Sequence, residues 1–254
     1  MSFWPEGRLG AVSLTFDDGM ESQLSIAVPE MDQRGIQGTF YLNPKSDPGE
    51  TTEDSWKRRL SRWVGTQHTG HEIGNHSINH PCSLNIKADF SPNNLLDMSL
   101  QDIENDLTEA QARLKTFFPD QVATSFAYPC YETSVGRGLN RVSYVPVVAR
   151  LFVAARARGE LANDPIFCDL HHLSSFPVER MPASYLIGLV EQAIALHRWA
   201  IFTFHGIHEG HLSVSHVDLI ELLDHLARRS DVVWTAPVAQ VAVHIQSQII
   251  ARDS

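Results

Sequence analysis

Four apolar stretches of this chain each run straight into side chains that bind cations or move protons, and this repetition limits the folds the chain can adopt. Leu14-Thr15-Phe16 leads to Asp17-Asp18-Gly19, and Glu72-Ile73-Gly74 to His76-Ser77-Ile78-Asn79-His80. Phe126-Ala127-Tyr128 leads to Pro129-Cys130, and Thr203-Phe204 to His205-Gly206. Around these stretches, strand-like and helix-like patterns alternate. Gly10 to Phe16 reads as a strand, Glu21 to Arg34 as a helix stopped at Gly35, and Gly38 to Leu42 as a second strand. Glu53 to Val64 is amphipathic, and Ser99 to Phe118 is a long helix with Ser99 as cap and Asp102 three residues on. Val122 to Tyr128 and Ala200 to Phe204 read as strands, with Ser184 to His197 and a Ser215-capped segment to Arg229 as helices. Val232 to Trp234 and Val238 to Ile250 close the chain as strand and helix. Residues 44–52 and 81–98 read as loops, and 136–182 shows no clear period.

Alternation of this kind predicts an α/β chain with a parallel barrel inside and helices outside. In such a barrel the strand ends meet on one face, so the four polar exits are expected to converge there. The 254 residues suit a single domain, 1–254. The net charge of −10 argues against a nucleic-acid backbone or an anionic membrane surface as partner. No basic segment precedes an apolar one at the N-terminus, and no stretch is apolar enough to span a bilayer, so the expected location is cytoplasmic. Cys82, Cys130 and Cys168 are odd in number and lack a C-x-x-C pair, which argues against a disulfide framework or a thiolate zinc site.

Adjacent carboxylates repel, so a strand end that carries Asp17 and Asp18 together gains something from a metal or a shared proton. One could hold a cation while the other acts as a base. The rival reading is a tight Asp-Asp-Gly turn whose side chains bond to backbone N–H groups. A haloacid-dehalogenase phosphatase site is excluded, because its two aspartates are separated by one residue. His76 and His80 would lie about 5–6 Å apart at Cβ on a helix, although Pro81 disfavours helical geometry at His80. Joined to an aspartate from a neighbouring strand end, they make two nitrogens and one oxygen with a position open, the ligand count of a catalytic zinc site. Co2+, Ni2+ and Mn2+ accept the same donors.

Taken together, these stretches resemble the polysaccharide deacetylases (carbohydrate esterase family 4, with a NodB-like domain). The first family motif, T-F-D-D-G, is intact at Thr15 to Gly19, and the second, H-[ST]-x-x-H, at His76 to His80 after the lead-in Gly70 to Asn75. The resemblance runs from residue 10 to the C-terminus. It implies a distorted (β/α) barrel of seven or eight parallel strands, Asp17 as general base, and Asp18, His76 and His80 as ligands of a divalent metal, zinc first. The third motif, R-x-P-[YF], falls on Ala127 to Cys130: Pro129 matches, Ala127 replaces the arginine that touches the base carboxylate, and Cys130 replaces the aromatic residue. The resemblance then gives Cys130 a backbone N–H facing the oxyanion; a metal-activated water makes a Cys130 nucleophile unnecessary. The fourth motif, an aspartate that tunes the acid histidine, is not found, with Asp164 and Asp169 as weak substitutes. Phe204-His205 fits the fifth motif and makes His205 the general acid. Substrate contacts are expected at Tyr128, Pro129, Tyr131, Phe204 and His208, and His208 to His211 reads as a loop at the mouth.

The resemblance implies a hydrolase that removes acetyl groups from N-acetylated sugars or oligosaccharides. A small cyclic imide or ureide is the alternative substrate, and a glycan-binding module that has lost activity is the reading from another class. Since Asp17 must be ionised and His205 protonated in the same complex, the expected pH–rate profile is bell-shaped. A rate that stays level from acid to alkali would contradict that pairing of roles.

Overall fold

In the strand Gly10–Asp17 (β1) every residue is buried, yet alternate side chains do different work. Val12, Leu14 and Phe16 enter the main apolar cluster, while Ser13 bonds to the Ala236 carbonyl and Thr15 to the Phe202 carbonyl. A strand turns successive side chains to opposite faces, so Asp17 shares the face of Ser13 and Thr15. The computed structural model describes residues 3–46, 53–83 and 94–253.

The further strands are Thr39–Leu42 (β2), Glu72–Asn75 (β3), Ser125–Ala127 (β4), Ser134–Val135 (β5), Val142–Ser143 (β6), Ala154–Arg156 (β7), Phe176–Pro177 (β8), Trp199–Phe204 (β9) and Val233–Thr235 (β10). Apart from the β5–β6 hairpin they form one eight-stranded sheet in the order β7-β4-β3-β2-β1-β9-β8, with β10 also on β1. Each pairing in that sheet is parallel. This is a distorted (β/α) barrel: the alternating pattern predicts its parallel strands and outer helices, and the family resemblance implies its distortion. The helices are Val28–Asp32 (α1), Glu53–Ser61 (α2), Leu100–Phe117 (α3), Val145–Leu151 (α4), Ala183–Ala195 (α5), His216–Arg228 (α6) and Val238–Asp253 (α7). Leu186 and Val190 of α5 and Leu219, Leu222 and Leu223 of α6 pack on the β1 and β9 side chains in the main cluster. None of the described helices is long and apolar enough to cross a membrane.

Several elements differ from the sequence reading. The predicted helix over 21–34 divides into a π-helical turn, Gln23–Ala27, and α1. Such turns often serve a local need. Here Gln23 donates through Nε2 to the carbonyls of both Asp17 and His205, tying together the ends of β1 and β9. The strand expected from Val122 contracts to β4, because Val122 is 99% exposed. Residues 47–52 and 84–93 of the predicted loops lie outside the described residues. The stretch 136–182, which shows no period, contains β7 and β8, each too short to display one. Ser99 and Asp102 form the predicted reciprocal cap on α3.

On the inner side of the sheet an apolar cluster of Ala11, Ala154, Trp199 and Ile201 packs on α7, and the rest is largely polar. Glu72 is buried and accepts hydrogen bonds from the Ser125 N–H and hydroxyl, the Thr39 hydroxyl and the Ala239 N–H at the start of α7. Burial pushes its carboxyl above the usual range, and those donors pull it partly back. Above it, Tyr41 bonds to Ser125 and lies across Gly74, where an added Cβ would come within 2.3 Å of the ring. Only glycine fits there. Replacing Glu72 by Ala leaves the N–H groups of Ser125 and Ala239 without this acceptor, at about 1–3 kcal/mol each. The expected result is a lower urea midpoint for E72A with an unchanged slope; an unaltered midpoint would mean that the cluster does not hold α7 to the sheet.

Candidate active site

Alternation along β1 would send Asp17 and Asp18 to opposite faces of the sheet. Both nevertheless reach one site, because Asp18 adopts φ +70° and Gly19 φ +63°. The left-handed region is uncommon for residues other than glycine, and Asp is among those that enter it most readily. The turn swings the Asp18 carboxylate back over the strand end. There Oδ1 lies 3.7 Å from His76 Nε2 and 3.7 Å from His80 Nε2, and Oδ2 lies 3.5 Å from His205 Nε2. Burial raises the Asp18 carboxyl, but the three imidazoles and Lys45 outweigh it and bring it down to about 2.

The segment from His76 to His80 is a loop, not a helix. Ser77 has φ +62° and His80 φ +49°, so the two rings meet edge to face with centroids 4.7 Å apart by folding the backbone on itself. Asp106 of α3 accepts from the Ile78 N–H and the Asn79 amide, and Ser77 Oγ accepts from the His80 N–H. His76 Nδ1 donates to the Ala127 carbonyl at 2.8 Å. A carbonyl only accepts, so Nδ1 carries the proton and Nε2 presents a lone pair. That Nε2 is buried and has no hydrogen-bond partner among the described residues. An orphaned acceptor beside a carboxylate held at about 2 fits a divalent cation. Asp18, His76 and His80 bring one ligand atom each within 4.8 Å of one another.

Asp17 is held differently. Arg156, on β7 and fully buried, reaches across the interior so that Nη2 lies 2.6 Å from Asp17 Oδ1 and 2.5 Å from Oδ2, while Nη1 donates to Thr203 Oγ1 at 2.9 Å. Its guanidinium also lies over the rings of Tyr41 and Tyr131. Burial raises the Asp17 carboxyl, but Arg156, with His76 and His205, more than offsets this and leaves it lowered. Asp17 therefore stays ionised at neutral pH without a metal bond of its own. These groups open into a cavity of about 1250 Å³ that also takes in Tyr131, Arg158, Phe176, Met181, Tyr185 and His211.

The family model described as polysaccharide deacetylase matches residues 6–138, just over half of the chain. The chain belongs to the polysaccharide deacetylase family. A candidate polysaccharide deacetylase from Mycobacterium smegmatis has a similar structure, with a TM-score of 0.61 at 16% identity over 96% of this chain and 93% of that one. A family 4 acetyl xylan esterase from Clostridium thermocellum, solved with a cobalt ion, gives 0.54 at 18% identity over 92% and 90%. The peptidoglycan deacetylase PdaC from Bacillus subtilis gives 0.53 at 12% identity over 98% and 97%. At these identities the likeness extends to the fold. No curated protein matches the sequence.

Of the residues that the deacetylase motifs single out, Asp17, Asp18, His76, His80 and His205 gather at one end of the cavity, with Tyr128, Cys130 and Tyr131 on its wall. Phe204 is not a substrate contact: it is fully buried and stacks on Phe16 among the residues under the helices. Pro129 is also buried and starts the short turn before Cys130. His208 points away, accepting from the His216 N–H beside a second, smaller cavity. The loop residue that does face the site is His211, whose ring lies 4.1 Å from that of His205. Asp164 and Asp169 accept from N–H groups of their own turns, and His205 Nδ1 has no hydrogen-bond partner among the described residues. Burial carries the His205 imidazole down to about 4, against a weaker upward pull from Asp17 and Asp18, so it rests neutral at pH 7. The expectation against disulfides is also corrected: Cys82 and Cys130 are bonded. They lie 48 residues apart, and only the approach of their two loops reveals the pair.

Arg156 is the functional residue that the sequence reading missed. Ala127 stands where the third motif has its arginine, and Ala127 and Arg156 are register partners on adjacent parallel strands. The guanidinium therefore stands one strand away from the motif position, at the same height. With Asp17 as the base that the motifs imply, Arg156→Met should lower kcat/KM by about 10²-fold or more. It should also move the acid limb upward, since a buried carboxylate without its cation protonates more readily. The stability slope in acid should flatten too. In the native protein the depressed Asp17 contributes stability above its unfolded value of about 3.9, and this is lost as pH falls through the lower folded value. In R156M burial and Asp18 are opposed by His76 and His205 alone, so the folded value rises and that contribution shrinks. Adding Ala127→Arg to Arg156→Ala should recover part of the activity; an acid limb unmoved in R156M would refute the assignment.

Proposed function

We propose that this protein is a metal-dependent hydrolase that removes acetyl groups from N-acetylated sugars or oligosaccharides. The observation that carries the reading is the convergence of Asp18, His76 and His80, with ligand atoms within 4.8 Å, beside an ionised Asp17 at the end of one open cavity. Asp18, His76 and His80 would hold the ion and leave a position open, with zinc favoured and Co2+, Ni2+ or Mn2+ compatible with the donors. A divalent cation there supplies Lewis acidity, which makes water acidic near neutral pH and polarises an acyl carbonyl.

The protein's own groups account for the remaining steps. Asp17, oriented by Arg156, takes a proton from the attacking water. The Cys130 N–H donates to the developing oxyanion; a donor of this kind is typically worth about 3–4 kcal/mol. His205 delivers a proton to the departing amine nitrogen, without which the amine is a poor leaving group. Because His205 rests neutral, the proton it delivers is the one that Asp17 has taken from the water. The alkaline limb expected from a protonated His205 is thereby corrected, since an imidazole at about 4 gives no limb near neutral pH.

Two observations favour a glycan over a cyclic imide. The cavity, about 1250 Å³, is larger than the roughly 300–1,000 Å³ that suits small ligands. The Cys82–Cys130 bond also belongs to an oxidising compartment and not to a reducing cytosol, which weakens the expectation of a cytoplasmic location. Acetate release from N-acetylglucosamine oligomers of increasing length, with and without a chelator, tests the proposal. Cyclic imides serve as the competing substrates. Asp17→Asn should keep the metal and lose about 10²–10⁴-fold in turnover, while His76→Ala should release the metal. Loss of metal in D17N would mean that the two aspartates exchange roles, and turnover of imides alone would transfer the substrate class.

A further inference from the structure

Two loops meet at the metal end of the cavity, and one covalent bond joins them. Cys82 lies two residues beyond His80, and its Sγ is 3.6 Å from His80 Nδ1. Cys130 lies in the turn that follows β4, lines the cavity, and adopts φ +51°, with Tyr131 next to it at φ +59°. The Cys82–Cys130 disulfide ties these segments together at a Cα separation of 5.8 Å, and the Ser83 N–H donates to Glu132 as a second link between them.

The surroundings show what the bond holds in place. His76 is oriented through its ring by the Ala127 carbonyl, the kind of partner that fixes a metal-binding imidazole. At His80 Nδ1 a sulfur of the disulfide lies 3.6 Å away. On the other loop, two successive non-glycine residues sit in the left-handed region, which is costly unless the surrounding structure enforces it. Cys130 is the first of the two, and its side chain is anchored through sulfur.

We propose that the Cys82–Cys130 disulfide is a positioning element of the active site, fixing the His80 imidazole for the metal and the Cys130 N–H for the oxyanion in one geometry. The inference rests on the metal-dependent reading above. Reduction by a trialkylphosphine tests it without introducing a competing thiol ligand. The phosphine attacks one sulfur and the S–S bond breaks. Water then supplies the oxygen of the phosphine oxide and the protons of two thiols. Cys168 is already a free thiol and is unchanged.

Metal affinity is measured by equilibrium dialysis with Co2+ for the oxidised protein, the phosphine-reduced protein and the Cys82→Ala/Cys130→Ala variant. Both unlinked forms should bind Co2+ at least tenfold more weakly. With metal saturating, kcat should fall by more than KM rises, since the oxyanion donor acts in the transition state. Coupling is reciprocal, so bound metal should make the disulfide harder to reduce by the same factor, about 30 mV for each tenfold. Equal Co2+ affinity in all three forms would overturn the proposal. So would a sulfur-to-cobalt charge-transfer band in the reduced protein together with tighter binding, which would make the sulfurs ligands and not a tether. Should the double variant fail to fold, the reduced native protein carries the same comparison. If the oxidised protein itself binds no Co2+, it is the metal-dependent reading that fails.

Discussion

The buried ion pair between Arg156 and Asp17 is the constraint on which the rest of this active site depends. A carboxylate in the interior of a sheet would protonate unless a charge of opposite sign were fixed beside it. Removing charges from water is costly, and such a pair is retained only with good geometry and further partners for its remaining donors. Here Thr203 takes one guanidinium nitrogen and both Asp17 oxygens take another, while the rings of Tyr41 and Tyr131 flank the cation. The pair also connects β7 to β1, strands that are not neighbours in the sheet. One contact thus links the ionisation state of the proposed base to the curvature of the fold.

The sheet supports this by dividing its two faces. The outer face is apolar and packs on α5 and α6, supplying the burial that stabilises the domain. The inner face carries a column of polar groups, Glu72, Thr39, Ser125 and Tyr41, that satisfy one another. Satisfied polar networks of this kind define a single arrangement, whereas a partly satisfied one would be a liability. Half of the described non-glycine residues with positive φ sit on the rim above that column. Asp18, Ser77, His80, Cys130 and Tyr131 all have positive φ, and all lie in the loops around the cavity. Each departure turns a side chain, or a backbone segment, towards the site.

The proposed metal ligands and the proposed oxyanion turn are carried by loops, so their precision comes from what anchors the loops. Asp106 holds the turn after His76, the Ala127 carbonyl orients the ring, and the disulfide joins the far ends. The replacement of the third-motif arginine by Ala127 is therefore compatible with an intact site, since the carbonyl of that residue serves whatever its side chain.

Much of this was legible in the chain itself. Adjacent aspartates after an apolar run, two histidines in a fixed pattern and a histidine after Phe204 are local features, and alternating strands and helices place their exits on one face. The Ser99 and Ser215 caps are local too, and both form as read. What the sequence could not convey depends on distance. Arg156 lies on a strand three residues long, and its partner is 139 positions away. Cys82 and Cys130 were an odd remainder until two loops closed on each other, and His211 displaced His208 because a turn decided which ring faces inward. Residue types and local spacing determined which chemistry is available to this protein. Tertiary structure decided which arginine stands beside the base and which loops are joined, because those contacts exist only once the sheet has curled and brought distant strands face to face.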